Sequence, residues 1–213
     1  AITNQRPDDA IVNHSVWIRQ DWLDKLGLEM PKTDAELIEV MKQFRDKDPN
    51  GNGQKDEVPM SMIWSQLVEA MYECTEVWYV NENDEMEFGQ LTDRYVEALR
   101  FMKTCYDEGL LSREFATDKD NTMQNQLWTT DRAGVYMRSW SPASNRDLMI
   151  NNPNAKPVIL PPVETKFGVG GYYKETDAQL YNMFNASTKN VEAGMKFIDW
   201  MITDGWEKLY YGD

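Results

Sequence analysis

The chain has 213 residues, of which 22 are Lys or Arg and 36 are Asp or Glu, so its formal net charge is −14. A field of that sign repels phosphate backbones and excludes nucleic acid as the expected partner. Eight Trp, ten Tyr and seven Phe residues supply enough apolar area for a packed core, which argues against disorder. No stretch reaches the roughly 18 apolar residues that a membrane-crossing helix needs, so the chain is not predicted to span a membrane.

The residues most often used in catalysis and cross-linking are scarce. Cys74 and Cys105 are too few for a disulfide scaffold and match no metal-ligand spacing, so they are either one disulfide or, as the sequence favours, two reduced core thiols. His14 is the only histidine, which leaves little room for imidazole-based catalysis. The sequence contains no GxSxG, HExxH, P-loop or Cys–His arrangement.

The first half of the chain predicts short strands and amphipathic helices. Residues 16–19 are a strand or the first turn of a helix that ends at Gly27. Thr33 and Glu36 have the spacing of a capping box and predict the start of the next helix. A short helix is expected near 67–71, and the run at 77–80 before an acidic turn predicts a strand.

The second half continues in the same way. One helix is predicted from an inward stripe of Tyr95, Ala98, Leu99, Met102 and Tyr106, and it ends at Gly109. A helix at 122–128, strands at 134–137, 158–160 and 181–184, and a last helix at 190–203 follow. The inward face of that last helix is predicted to consist of Val191, Met195, Ile198 and Met201.

The segment 48–57 carries the clearest chemical pattern in the sequence. Oxygen-bearing side chains stand at positions 1, 3, 5 and 9 of a loop, with Gly53 at position 6, as in the calcium loop of an EF-hand. Position 12, where an EF-hand has a bidentate Glu, is Pro59, so Glu57 at position 10 must replace that ligand. The predicted Ca²⁺ ligands are Asp48, Asn50, Asn52, Gln54 through its carbonyl, Asp56 and Glu57. The alternative interpretation is a polar turn that binds nothing. If the loop binds calcium, the ion would have a structural role.

Four tryptophans are candidates for ligand binding because they lie near the ends of predicted segments, beside polar residues. An aromatic ring in such a place can stack on the apolar face of a sugar while its neighbours hydrogen-bond the hydroxyls. For each ring taken alone, packing in the core or at its rim is the competing explanation. The four are Trp64, Trp78, Trp128 and Trp140. From these and the segment around Trp140, the predicted ligand residues are Trp64, Trp78, Trp140, Tyr136 and Arg138.

Several segments together resemble the extracellular solute-binding proteins of bacterial ABC importers, family 1, of the lipoprotein kind that captures oligosaccharides. Residues 18–28 read IRQDWLDKLGL, and residues 44–59 read FRDKDPNGNGQKDEVP, which resembles the calcium loop of sugar-binding and alginate-binding members. Further similar segments are YDEGL at 106–110, DRAGVY at 131–136 and KNVEAGMKFIDW at 189–200. Val191 departs from the family pattern, which usually has Pro there.

The resemblance implies an α/β fold: a type II periplasmic-binding-protein-like lobe, helix-rich with a small mixed sheet. Members have two lobes that close on a ligand, so the chain is interpreted as a fragment. Residues 10–160 would be the second lobe, with its calcium loop at 48–57, and residues 161–213 a crossover returning toward the absent first lobe.

The resemblance further implies a non-enzymatic protein that captures an oligosaccharide or related solute and delivers it to ABC permease subunits. It would be extracellular and anchored through a lipidated Cys upstream of this chain. Two other functions remain open from composition alone. One is a carbohydrate-active hydrolase using two carboxylates on facing walls, and the other is a calcium-stabilised adhesion or docking module.

Overall fold

The computed structural model of the chain describes residues 2–5, 14–63, 65–81, 83–139, 142–171 and 178–212. The chain divides into two compact units. The larger unit is Ile11–Glu175, and the smaller one combines Ala1–Ala10 with Thr176–Asp213. The interpretation of 10–160 as a lobe and 161–213 as a crossover stays a prediction.

The elements alternate between short strands and helices. The strands are β1 (Ile2–Gln5), β2 (His14–Arg19), β3 (Met60–Met62), β4 (Trp78–Val80), β5 (Met86–Phe88), β6 (Val135–Ser139), β7 (Pro157–Ile159), β8 (Glu164–Thr165), β9 (Gly168–Val169) and β10 (Ala178–Asn182). The helices are α1 (Gln20–Leu26), α2 (Asp34–Asp46), α3 (Gln66–Met71), α4 (Asp93–Asp107), α5 (Thr122–Thr129), α6 (Pro142–Asn151), α7 (Val191–Ile202) and α8 (Trp206–Tyr211).

A mixed four-stranded sheet organises the larger unit. Its strand order is β3-β6-β2-β7, in which β3 and β6 are parallel and the other two pairs are antiparallel. Two hairpins, β4–β5 and β8–β9, lie outside this sheet. The helix-rich lobe with a small mixed sheet that the sequence predicts is therefore confirmed.

The central strand β6 divides the core, because successive side chains of a strand point to opposite faces. Val135 and Met137 belong to the main apolar cluster, which also holds Trp22 and Phe44. Tyr136 lies in a second cluster on the other face, with Leu127, Trp128, Ala133, Leu148 and Ala155. That second face is covered by α5 and α6, and it is the face from which the polar side chains discussed below extend.

Helix α2 starts much as the sequence predicts, with one difference in the cap. The Thr33 hydroxyl accepts the Glu36 amide proton at 3.1 Å, but the Glu36 carboxylate accepts from the Lys32 amide at 2.7 Å. In a complete capping box that carboxylate would accept from Thr33 itself.

The predicted stripe of α4 is wrong at one position. Leu99 is 44% exposed, whereas Phe101 and Cys105 are buried with Ala98. The apolar pattern of α4 is wide enough to fit two neighbouring stripes, and packing against the main cluster selects the one that contains Phe101. Cys74 and Cys105 are both buried free thiols, and burial raises the pKa of each to about 12.

The smaller unit pairs β1 with β10 in an antiparallel ribbon and adds α7 and α8. The predicted inward face of α7 is only partly covered: Ile198 and Met201 are half-buried, whereas Val191 and Met195 are each 44% exposed, and no residue of the helix is fully buried. A two-stranded ribbon and one short helix offer too little surface to cover an apolar helix face. Within the described ranges, no helix is long and apolar enough to cross a bilayer.

Gly134 lies where the chain enters β6, and its missing side chain matters for packing. A Cβ added there would be 2.2 Å from Cδ2 of Phe44 and 2.9 Å from Cε3 of Trp22. These two rings already meet edge to face, with centroids 5.2 Å apart. We expect Gly134→Ala to lower the free energy of unfolding by about 1–3 kcal/mol, because the rings must move out of their contact.

Urea unfolding followed by Trp fluorescence measures this effect. Gly171→Ala is the matched control, because nothing lies within 4 Å of its added Cβ. Equal stability of the two variants would contradict the packing argument.

Candidate functional site

The loop 48–57 holds itself in a tight turn through bonds from its own amides to its own side chains. Oδ1 of Asp48 accepts from the amides of Gly51 and Asn52, and its Oδ2 accepts from Gly53 at 3.0 Å. The side-chain oxygens of Asn50 and Asn52 each accept from the amide two residues later, at 2.9 and 2.7 Å. The sequence therefore folds side-chain oxygens at loop positions 1, 3 and 5 toward the loop interior.

The rest of the larger unit anchors this loop at three points. Nζ of Lys25 in α1 donates to the Pro49 carbonyl at 2.7 Å. Nδ2 of Asn50 donates to the Asp131 carbonyl at 3.0 Å. Nε of Arg132 donates to the Asp56 carbonyl at 2.9 Å and pairs with the Asp56 carboxylate at 3.0 Å. The loop is thus fixed to the turn that leads directly into β6.

Glu57 is the unusual member of the loop. Its side chain is 7% exposed, and neither carboxylate oxygen has a hydrogen-bond partner among the described residues. Burial, and then the nearby charges of Asp56 and Asp48, raise the pKa of Glu57. A buried carboxylate without a partner is costly, and a cation bound beside it would remove that cost.

The loop fits calcium by its donor set and only partly by its arrangement. Carboxylate, amide and carbonyl oxygens are the ligands that this hard cation takes. Within the described residues, however, no group of three His, Cys, Asp or Glu side chains is gathered as a metal site. Asp56 is held by Arg132 instead, although position 9 of an EF-hand often acts through a water. The predicted ligand set remains a prediction.

Tyr136 and Arg138 lie at the second candidate region, the carboxyl end of β6. Nη1 of Arg138, the Tyr136 hydroxyl, the Ser144 hydroxyl and Oδ1 of Asn125 form a closed cluster. Each of these four atoms lies 2.8–3.1 Å from the other three. Because β3 and β6 are parallel, their carboxyl ends share one edge of the sheet, which is the edge where open α/β sheets bind ligands.

The Tyr136 ring itself is not available for stacking on a sugar. It is fully buried and lies against Trp128, with centroids 4.8 Å apart and planes 7° from parallel. Trp128, one of the four candidate tryptophans, is also fully buried and donates its indole N–H to Asn145 at 3.0 Å. Trp128 is therefore a core residue, which is the competing explanation given above for each of the four rings.

Trp78, another of the four candidate tryptophans, is on the surface. Its side chain is 63% exposed on the β4–β5 hairpin and contacts Phe88 across the ribbon, with centroids 5.3 Å apart. On the opposite face the Tyr79 hydroxyl donates to Glu87 at 2.6 Å, so the ring of Trp78 faces outward. Trp64 and Trp140 lie outside the described residues.

Sequence reasoning missed the residues that hold these regions in place. Asn125 and Ser144 come from α5 and α6, and each is one polar residue among several in its segment. Asp131 and Arg132, which anchor the loop, are 75 or more positions from the loop residues that they contact. No spacing rule connects positions that far apart. The only signal in the sequence was that Asp131 and Arg132 belong to the segment DRAGVY, which resembles a family segment.

Comparison with known proteins gives a family match across nearly all of the chain. The family model described as bacterial extracellular solute-binding protein matches residues 6–208. Among curated proteins, the fructooligosaccharide ABC transporter substrate-binding protein FusA of Streptococcus pneumoniae is 38% identical over 112 residues, which is 48% of this chain and 21% of FusA. Lipoprotein LipO of Bacillus subtilis is 37% identical over 135 residues, which is 60% of this chain and 27% of LipO.

A third relative is the polygalacturonan/rhamnogalacturonan-binding protein YtcQ of Bacillus subtilis. It is 29% identical over 150 residues, covering 68% of this chain and 29% of YtcQ. The aligned segments therefore cover under a third of the length of each of these curated relatives.

Solved structures of FusA also resemble this chain. FusA in complex with kestose gives a TM-score of 0.67 at 27% identity, over 89% of this chain and 40% of FusA. A FusA EF-hand mutant in complex with fructo-nystose gives the same TM-score at 26% identity over the same shares.

Proposed function

This chain belongs to the bacterial extracellular solute-binding proteins, and we propose on that premise that it captures an oligosaccharide outside the cell for an ABC importer. The observation that carries the proposal is the family match over residues 6–208. The likeness to FusA in complex with kestose supports a sugar as the ligand class. The ligand is bound and released without chemical change, with hinge closure favoured by the extra contacts that the ligand makes in the closed state.

The ligand-binding residues in this proposal are Arg138, at the carboxyl end of β6, and Trp78, on the β4–β5 hairpin. Arg138 offers hydrogen-bond donors at the sheet edge that binds ligands in open α/β folds. Trp78 offers an exposed ring of the kind that stacks on sugars. Tyr136 contributes by holding Arg138, since its ring is buried. Trp64 and Trp140 keep their predicted roles as ligand residues.

Calcium is the proposed structural cofactor of the same protein. The ligands would be Asp48, Asn50, Asn52, Asp56, Glu57 and the Gln54 carbonyl. The orphaned carboxylate of Glu57 and the inward turns of the loop support this assignment. The ion would hold the loop against the Asp131-Arg132 turn, and through that turn it would stabilise the start of β6.

The proposed partners are the membrane subunits of the importer, and the proposed location is the outer surface of the cell. Among the relatives, LipO is named a lipoprotein, which supports a lipid anchor on a Cys upstream of this chain. In the same proposal, residues 10–160 are the second lobe of a two-lobe protein. The share of each relative that the chain matches supports this interpretation.

The test is oligosaccharide binding by isothermal titration calorimetry, on the full-length protein and on the 213-residue chain. For an oligosaccharide that wild type binds, we expect Trp78→Ala to raise the Kd roughly tenfold, because the stacking ring is lost. Leu91→Ala is the matched control, since Leu91 is an exposed apolar residue just beyond the same hairpin. An equal loss of oligosaccharide affinity in both variants would show that Trp78 is not a ligand-binding residue.

A reducing-end assay on the same mixtures separates capture from hydrolysis. A binding protein returns its ligand intact, whereas a glycosidase with two carboxylates releases new reducing ends. Release of reducing ends in proportion to the amount of protein would overturn the proposal in favour of the hydrolase.

A further inference from the structure

The guanidinium of Arg138 is anchored at one end only. Its Nη1 lies in the cluster of Asn125, Tyr136 and Ser144, at 2.8–3.1 Å from their oxygens. Among the described residues, no oxygen accepts from Nε or Nη2. These two nitrogens form the edge of the guanidinium that matches a carboxylate with two parallel hydrogen bonds.

Arg138 also differs from the other described arginines in its charge partners. Most of them pair with a carboxylate within 4.0 Å: Arg19, Arg45, Arg94, Arg100, Arg132 and Arg146. Arg113 has none, but it is exposed and lies over the Tyr106 ring at 4.4 Å. Arg138 is half-buried, and its partners in the described part of the chain are all neutral. Among the described residues, no carboxylate pairs with this cation.

The neutral cluster fixes the direction of the guanidinium. Oδ1 of Asn125 is an acceptor for both hydroxyls and for Nη1. The Tyr136 ring is held by its stack on Trp128, and Ser144 is buried on α6. Nη1 is therefore held by groups that are bonded to one another and packed in the core. This fixes the direction of the free edge formed by Nε and Nη2, so that it is preorganised for a ligand.

We propose that Arg138 is a specificity-determining residue that binds the carboxylate of an acidic oligosaccharide, with Asn125 and Ser144 as its positioning residues. The net charge of −14 repels an anionic sugar at long range. A local cation with a free bidentate edge is therefore what such a ligand needs. This inference rests on the proposed function. It also favours one of the two ligand classes named for relatives, because fructooligosaccharides are neutral whereas polygalacturonan carries carboxylates.

The test compares each acidic probe with its own neutral counterpart. Trigalacturonate and trimannuronate are titrated into the full-length protein, each beside its carboxyl-reduced form. We expect wild type to bind one of the acidic probes at least tenfold more tightly than the reduced form, because the charged pair is lost on reduction. Arg138→Gln should bring that ratio close to one. Asn125→Ala should lower it partly, since the guanidinium keeps its charge but loses its orientation.

The ratio is the readout, so a general loss of stability does not imitate the result. Arg113→Gln is the matched control and should leave the ratio unchanged, because Arg113 is outside the cluster. Preference of wild type for kestose or another neutral probe would overturn this inference and leave the proposed function intact. An unchanged ratio in Arg138→Gln would also overturn it. Binding of no oligosaccharide by the folded protein would overturn both proposals.

Discussion

Arg19→Met is expected to destabilise the larger unit by about 3 kcal/mol, because it breaks a buried ion pair and leaves its acids behind. The Arg19 side chain is fully buried and lies over the Trp22 ring at 4.8 Å. Nε and Nη2 donate to the two carboxylate oxygens of Asp21 at 2.8 and 2.6 Å, and Nη1 donates to Asp131. The two acids keep some contact with water, which places the effect at the lower end of the range for such pairs.

Thermal and urea unfolding at neutral pH measure this loss, which corresponds to a fall in Tm of roughly 6–12 °C for a chain of this size. Arg146→Met is the matched control, because its pair with Asp147 is exposed and should contribute under about 1 kcal/mol. If both variants lose the same small amount of stability, the buried pair does not hold the sheet to the Asp131 turn.

The same variant has an expected dependence on pH. Burial alone would raise the pKa of Asp21, but the hydrogen bonds and charge of Arg19 outweigh it and hold that pKa below its usual 3.8. A lowered carboxyl pKa contributes stability above pH 4, and this contribution is lost as the pH falls through the folded-state value. The difference in the free energy of unfolding between wild type and Arg19→Met should therefore be smaller at pH 3 than at pH 7.

Calcium is expected to raise the unfolding free energy of chelator-stripped protein by about 2.7 kcal/mol at a hundredfold excess over its Kd. For a chain of this size that is a rise in Tm of roughly 5–10 °C. The gain arises because an ion that binds the folded loop has no comparable site in the unfolded chain. Asp48→Ala should abolish this rise, because Asp48 stands at loop position 1 and organises the amides of Gly51, Asn52 and Gly53.

Asp84→Ala is the matched control for the calcium experiment. Asp84 is an exposed aspartate in another tight turn and, like Asp48, has a positive φ. Because Asp48→Ala also removes loop hydrogen bonds, the quantity compared is the difference in Tm with and without calcium. A folded, metal-free wild type with no such difference would contradict the calcium assignment, and so would an Asp48→Ala variant that keeps the full difference.

The sequence by itself determined the features that form between near neighbours in the chain. The turns of the loop 48–57 join residues two to five positions apart. The Thr33 cap and the helix end at Gly27, whose φ is 65°, are equally local. Such contacts form wherever the right residues stand at the right spacing, which is why motif and spacing predicted them.

The tertiary structure alone decided which distant residues meet. Arg19 pairs with Asp131, 112 positions away, and Asn50 bonds to the same turn, 81 positions away. Asn125, Arg138 and Ser144 converge only because α5, β6 and α6 pack on one face of the sheet. These contacts depend on which faces of the elements are buried together, and the apolar pattern of α4 shows that one sequence pattern is compatible with more than one buried face.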